Sequence, residues 1–452
     1  MHQGVRFSSA TLMHRPRALQ GSLAALLTLT CFAVSCASSP DEESDVVAQA
    51  LSFTGALPAL NLDLAETTAS GLSSGAFMAV QFHVAFSASM RGVAVFAGGP
   101  YDCAQGSTVN ALTRCMSPTG PLDTTPFIAS TNAAAARGAI DAPSHLAAQR
   151  VFLFGGANDT TVKPAVMDAL RDYYRAFVEP SNVAYVERRP GTGHTMPTVD
   201  YGGPCATTAS PYIGACGFDG AGEALRALYG PLAPKQATTR PLVRLSQRAL
   251  LPSANQHSLD DIAYAYVPAS CEAGGRCRVH VAFHGCEQQA SGSVGDRFVS
   301  HAGYNEWAEA NAIVVLYPQT IATSGKNPHA CWDWWGYDSP AYATKSGPQL
   351  ALVKSLVDGL AGASPAASDG GADRDASLDG GGNPDAPAPA IESSAECTSA
   401  TAAAHVVAGR ARLLFGFAYA VGTGEALAWA FDARPIALLK TANGFRRVDA
   451  CP

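Results

Sequence analysis

Short apolar runs recur along the chain and alternate with stretches whose apolar positions return every three or four residues. "RGVAVFAGG" (91–99), "QRVFLFGG" (149–156), "NVAYVERR" (182–189), "RVHVAFHG" (278–285) and "AIVVLYPQ" (312–319) read as buried strands, each short and closed by turn residues. "GAFMAVQFHVAFS" (75–87), "KPAVMDALRDYYRAFV" (163–178), "DGAGEALRALYG" (219–230) and "GPQLALVKSLVDGL" (347–360) carry helical periodicity. This alternation predicts an α/β fold, a mostly parallel sheet flanked by helices.

The pattern fails in two places, and each failure marks a boundary. Arg6, Arg15 and Arg17 precede the apolar run "LAALLTLTCFAVSCA" and the polar "SSPDEESD", the order of a signal peptide over 1–36. "AVSC", ending at Cys36, also resembles a lipoprotein cleavage box, so secretion and lipid anchoring at Cys36 both stay open. Residues 364–391, rich in Asp, Gly, Ala and Pro, hold almost nothing that builds a core, and their aspartates lack EF-hand spacing. The expected organisation is therefore a catalytic domain over 51–362, a disordered linker over 363–392 and a small C-terminal module over 393–452.

Composition narrows the functions. The chain is 47% hydrophobic and 15% charged with a net charge of -7, enough apolar material for a large core and no basic footprint for nucleic acid. Ten cysteines lie beyond the leader, an even number in an exported chain, which predicts disulfides. Proximity pairs Cys103 with Cys115, Cys205 with Cys216, Cys271 with Cys277, Cys286 with Cys331 and Cys397 with Cys451. No C-x-x-C and no zinc-type His/Cys spacing occurs, so neither a metal nor a cofactor is expected.

Gly71-Leu72-Ser73-Ser74-Gly75 satisfies G-x-S-x-G, the turn that lifts a serine hydroxyl between a strand and a helix. In a chain with 43 glycines the pattern alone is weak, so context decides. Asp159 follows the strand-like run ending at 156, and His194 lies on a glycine-rich loop after the next run, giving the chain order Ser, Asp, His of an α/β-hydrolase. The oxyanion loop normally precedes the nucleophile, yet nothing upstream of Ser73 can supply it. His284-Gly285-Cys286 supplies it downstream, after "RVHVAF". Strands five to eight therefore come first and strands one to four second: the expected fold is a circularly permuted α/β-hydrolase.

Across roughly residues 55–362 the blocks "SGLSSGAFMAVQ", "VFAGGPYDCA", "GANDTTVKP", "GHTMPT", "SPYIGACGFDGAG", "HGCEQQ", "GYNEWA", "LYPQ" and "CWDWWGY" resemble the secreted short-chain polyhydroxyalkanoate depolymerases of circularly permuted type. The resemblance implies Ser73 as nucleophile, Asp159 as orienting acid, His194 as general base, the Ser74 and Cys286 amides as the oxyanion hole, and a Cys286–Cys331 disulfide. "SSGAF" departs mildly from the family, which often has a second glycine and a tyrosine there. Trp332, Trp334 and Trp335 concentrate in one loop, and with Tyr101 they are the expected substrate-binding aromatics. His83 and His280 are expected to be structural, and His284 to shape its loop.

The implied activity is hydrolysis of a short-chain polyester by a monomer that meets an insoluble substrate. A carboxylesterase of the same fold acting on soluble, carbohydrate or phenolic esters is the enzymatic alternative, and a non-catalytic surface-binding lipoprotein the alternative from another class. The tail block "AHVVAGRA" weakly resembles modules appended to polymer-degrading enzymes, which would hold the enzyme on its substrate or only stabilise it.

Overall fold

A computed structural model describes residues 59–362, the strand pair partner at 52–53, and the strands lying between 397 and 448. The leader with Cys36, the linker 363–392 and Cys451 lie outside the described residues.

The main sheet is built from β1 (Ser52–Phe53), β2 (Thr68–Leu72), β3 (Gly92–Phe96), β4 (Arg150–Gly156) and β5 (Val183–Arg189), then β9 (Val243–Ser246), β10 (Ile262–Tyr266), β11 (Arg278–Phe283) and β12 (Ile313–Tyr317). Its spatial order is β1-β9-β10-β12-β11-β2-β3-β4-β5. Only β10 runs antiparallel to its neighbours β9 and β12; the other pairings are parallel. β9 to β12 thus serve as the first half of an α/β-hydrolase sheet, although they come second in the chain. The fold is the permuted one that the position of His284-Gly285-Cys286 requires.

Helices begin where the sequence provides for them. Pro164 and Pro348 open Pro164–Arg175 and Pro348–Leu360, at a position whose N–H has no helical partner anyway. Asp219 caps Gly220–Tyr229 by accepting from the Gly222 N–H at 2.9 Å. α1 (Ser74–Ala85), packed against β2, β3 and β11, is buried on every side and accordingly mostly apolar all round; its interior polar side chains find buried partners, Gln81 donating to Asp333 O at 3.1 Å and His83 Nδ1 lying 3.0 Å from the Tyr174 hydroxyl.

One expectation changes. "NVAYVERR" is not a buried strand: β5 closes the sheet edge, and its residues are intermediate or exposed, with Arg188 paired to Asp168. β2 shows no apolar run, because its polar Thr68 and Ser70 are satisfied inside the sheet rather than at its surface.

That satisfaction comes from the strand across the seam where the two halves of the chain meet. His280 on β11 lies opposite Thr68, its Nδ1 2.8 Å from Thr68 Oγ1 and its Nε2 2.7 Å from Ser70 Oγ. Ser70 donates onward to the Tyr304 hydroxyl at 2.7 Å, and Thr68 bonds the Tyr229 hydroxyl at 2.6 Å. Burial lowers His280 from 6.5 to about 3, and likewise His83 to about 3 and His284 to about 4. These three rings are neutral in the fold but charge readily in the unfolded chain. Their contribution is therefore complete above pH about 6.5 and is lost as the pH falls toward the folded values, at about 1.4 kcal/mol per pH unit per ring. Urea unfolding should show stability falling between pH about 6.5 and 5, above the carboxylate range, with a shallower slope in His280→Leu. A flat profile in the unsubstituted protein would contradict this.

A small parallel sheet, β6 (Met196–Thr198), β7 (Gly203–Pro204) and β8 (Ile213–Ala215), in order β6-β8-β7, buttresses the segment after β5. In the C-terminal part, β13 (Cys397–Ala400), β17 (Ile436–Thr441) and β18 (Gly444–Val448) form one antiparallel sheet; β14 (Ala411–Leu414), β15 (Phe417–Ala420) and β16 (Ala426–Trp429) form another. Disulfides join Cys103–Cys115, Cys205–Cys216, Cys271–Cys277 and Cys286–Cys331, and Cys397 is also disulfide-bonded.

Candidate active site

β2 delivers Ser73 to the carboxyl edge of the sheet with φ 57° and ψ -123°, a conformation a non-glycine residue adopts only when its surroundings impose it. They do: its N–H donates to Phe96 O at 3.0 Å, and its carbonyl accepts from Ala76 and Phe77 in the first turn of α1. The flanking glycines have a steric reason. A Cβ on Gly71 would lie 2.1 Å from Gly75 O, and one on Gly75 would lie 2.3 Å from His284 O. β11 and its following loop therefore press directly on the elbow.

Asp159 follows β4 and is 4% exposed. Its Oδ1 accepts the N–H groups of Thr161 and Val162 at 2.8 and 2.9 Å, while its Oδ2 lies 2.8 Å from His194 Nδ1. His194 follows β5, in the loop that enters β6. Its N–H donates to Thr208 Oγ1 at 3.0 Å, Gly193 N–H donates to Cys205 O, and Cys205–Cys216 pins that neighbour. With Nδ1–H directed at the carboxylate, Nε2 carries the free lone pair of the neutral ring. The Ser73 hydroxyl makes no hydrogen bond among the described residues; catalytic hydroxyl–imidazole contacts frequently tighten only when substrate binds.

The loop after β11 reaches the serine. A Cβ on Gly285 would lie 3.3 Å from Ser73 Cβ, so Gly285 packs on the elbow itself. The amides of Cys286 and Ser74 donate to no backbone acceptor among the described residues. The Gly285–Cys286 peptide is held on its carbonyl side by His284, whose Nδ1 donates to Gly285 O at 2.7 Å; Nε2 accepts from Thr320 N at 3.3 Å. Cys286 is further held by its disulfide to Cys331, and Glu287, at φ 63°, by donating to His329 O at 2.7 Å. Two amides without a hydrogen-bond acceptor among the described residues thus border the serine elbow, one next in sequence to Ser73 and one next to Gly285, which packs on it, an arrangement able to bind an oxyanion.

The aromatic expectations need correction. Trp332 is fully buried: its Nε1–H donates to His284 O at 3.0 Å and its ring meets Phe283 edge-on, so it braces the loop after β11 rather than lining a crevice. Tyr101 is also buried, its hydroxyl bonded to Ala343 O at 2.8 Å. Trp334 is 5% exposed and stacks on Phe77 of α1, with centroids 4.0 Å apart. Trp335, half-buried and edge-on to Trp334, is the member of the set with an accessible surface. A hollow of about 470 Å³ lined by Asp102, Gln105, Gly106, Gly336, Pro340 and Tyr342 opens beside this loop, and none of Ser73, Asp159 and His194 lines it.

Sequence reasoning overlooked Asp333. Its carboxylate, 2% exposed, accepts four main-chain N–H groups, from Gly336, Tyr337, Asp338 and Ser339, at 2.7 to 3.1 Å. Burial nevertheless lifts it to about 6. The available signal was an Asp placed before a glycine turn, the side chain that folds such a turn onto itself.

A permuted sheet with a serine elbow, a buried acid–imidazole pair on the following loops and an amide pair beside the serine puts the chain in the α/β-hydrolase class. No family model matches the chain. It is 47% identical over 305 residues to a poly(3-hydroxybutyrate) depolymerase of Delftia acidovorans, covering 67% of this chain and 61% of that protein's length. It is 39% identical over 328 residues to a polyhydroxybutyrate depolymerase of Talaromyces funiculosus, covering 68% of this chain and 94% of that one. Two solved structures superpose with a TM-score of 0.62 at 35% identity, over 68% of this chain and 99% of theirs: the PHB depolymerase of Penicillium funiculosum, and a serine-to-alanine PHB depolymerase complexed with an R3HB trimer. The chain belongs to the polyhydroxybutyrate depolymerase family.

Proposed function

We propose that the protein is a serine esterase that hydrolyses poly(3-hydroxybutyrate)-type polyesters. The observation that carries this reading is the Asp159–His194 hydrogen bond at 2.8 Å on the same sheet edge as the strained Ser73. His194 Nε2 takes the Ser73 proton as Oγ attacks the ester carbonyl, and imidazolium forms against the Asp159 carboxylate. The tetrahedral oxyanion is received by the Ser74 and Cys286 amides. Collapse expels the alcohol end of the chain, which takes the proton from His194; water then repeats the sequence and releases the acid. Trp335, with Trp334 and Phe77 behind it, offers an apolar surface that suits a methyl-bearing chain.

The reading includes export, with Cys36 either lipidated or removed with the leader, and a C-terminal module that holds the enzyme at the polymer surface. Disulfides within the catalytic region support an oxidising location.

The test compares release of 3-hydroxybutyrate oligomers from a polymer suspension with turnover of a short nitrophenyl ester, using the full chain and one ending at residue 362. Both substrates should be hydrolysed, and truncation should slow attack on the suspension while leaving the soluble ester unchanged. Turnover of the soluble ester alone would remove the depolymerase reading in favour of a carboxylesterase.

A further inference from the structure

The oxyanion amide and the general base come from different halves of the chain, so something must fix one against the other. Gln288 spans that gap. It is 1% exposed and both ends of its amide are engaged: Oε1 accepts the Gly285 N–H at 2.7 Å, and Nε2 donates to Pro211 O at 2.9 Å and to Tyr212 O at 3.2 Å. Gly285 begins the peptide whose N–H belongs to Cys286, and it packs on Ser73. Tyr212 belongs to the segment that seats the imidazole: its carbonyl also accepts from Met196 N at 2.9 Å, two residues beyond His194, and nearby Thr208 accepts the His194 N–H. Beside this bridge the Tyr212 hydroxyl donates to Glu287 at 2.7 Å, and both residues hold positive φ, 57° and 63°. Non-glycine residues keep that conformation only under external constraint.

Resting on the esterase reading above, we propose that Gln288 is a positioning residue for the reaction, a two-ended amide strut that sets the Cys286 N–H against the His194 loop. It touches no reacting atom. Its geometry needs an acceptor at one end and a donor at the other, a pairing the Gln amide supplies and neither a thioether nor a carboxylate can.

Gln288→Met and Gln288→Glu are assayed on a soluble short-chain nitrophenyl ester, with thermal unfolding and inhibition by a trifluoromethyl ketone, which forms a tetrahedral adduct. Gln288→Met should lower kcat about 10- to 100-fold with KM little changed, short of the 10²- to 10³-fold loss typical of removing an oxyanion donor outright. Inhibitor affinity should weaken in proportion to kcat/KM. Gln288→Glu should regain activity relative to the unsubstituted enzyme as the pH falls from about 8 to 6, because a protonated carboxyl accepts at one oxygen and donates at the other. Unchanged kinetics in the face of a lowered melting temperature would overturn the proposal, as would a kcat loss without loss of inhibitor affinity. If Gln288→Met does not fold, Gln288→Glu decides, and an activity ratio independent of pH overturns it. Failure of the esterase reading has a different signature: ester hydrolysis by the unsubstituted protein that survives Ser73→Ala.

Discussion

Ser73→Ala should lower kcat for ester hydrolysis by about 10⁶-fold, the loss found when a triad serine is removed, while the protein still folds. The reason lies in the division of labour at the elbow. The Ser73 main chain holds the turn, through its N–H to Phe96 O and its carbonyl to Ala76 and Phe77, whereas its hydroxyl bonds nothing among the described residues. Removing Oγ therefore takes away the attacking atom and no hydrogen bond among the described residues. The Ser74 and Cys286 amides remain, so substrate should bind with little change. Residual turnover measured against the unsubstituted enzyme checks this, and a loss below about 10-fold would assign the nucleophile elsewhere, far below what a triad serine contributes.

Asp159→Asn should cost about 10⁴-fold in kcat at neutral pH, and the structure shows why so conservative a change is expected to be severe. Asp159 Oδ1 is committed to two main-chain donors, Thr161 and Val162. An asparagine must keep its oxygen there, which turns its NH₂ toward His194 Nδ1. Two donors cannot face each other, so the imidazole proton moves to Nε2, and the ring can no longer accept the Ser73 proton. KM should hold while kcat collapses. Activity within about 10-fold of the unsubstituted enzyme would show that the carboxylate does not set the tautomer.

The residues also show which parts of this site a sequence can disclose. Strands buried on both faces, such as "RGVAVFAGG" and "AIVVLYPQ", declare themselves because burial demands a continuous apolar run. β2 does not, since Thr68 and Ser70 are made tolerable by His280, more than 200 residues away in the chain. β5 misleads in the opposite sense: an apolar–charged alternation that suits a strand does not say whether the strand lies inside the sheet or at its edge. The candidate triad was legible because each member falls just after a strand in the required order, and the permutation because His284-Gly285-Cys286 had to stand somewhere. The aromatics were not legible. Whether Trp332 faces substrate or core depends on a carbonyl 48 positions earlier, His284 O, that its indole N–H can reach. Gln288 was hidden for the same reason, its partners Pro211 and Tyr212 lying about 77 residues back.

Besides its internal bonds, from His284 Nδ1 to Gly285 O and from Gly285 N–H to Gln288 Oε1, the loop after β11 is fixed from outside: by Trp332 at His284, Cys331 at Cys286 and His329 at Glu287, and through Gln288 to the His194 side. The loop carrying Trp334 and Trp335 is thereby coupled to the amide that would stabilise the transition state, so the proposed polymer surface and the chemistry share one support.

The most direct test of the whole arrangement is covalent labelling with a fluorophosphonate, followed by mass spectrometry of the digested protein. The account predicts a single adduct, on Ser73, formed in step with loss of esterase activity and greatly slowed in His194→Ala. Stoichiometric inactivation with the adduct on another residue, or labelling of Ser73 that proceeds at full rate without His194, would contradict it.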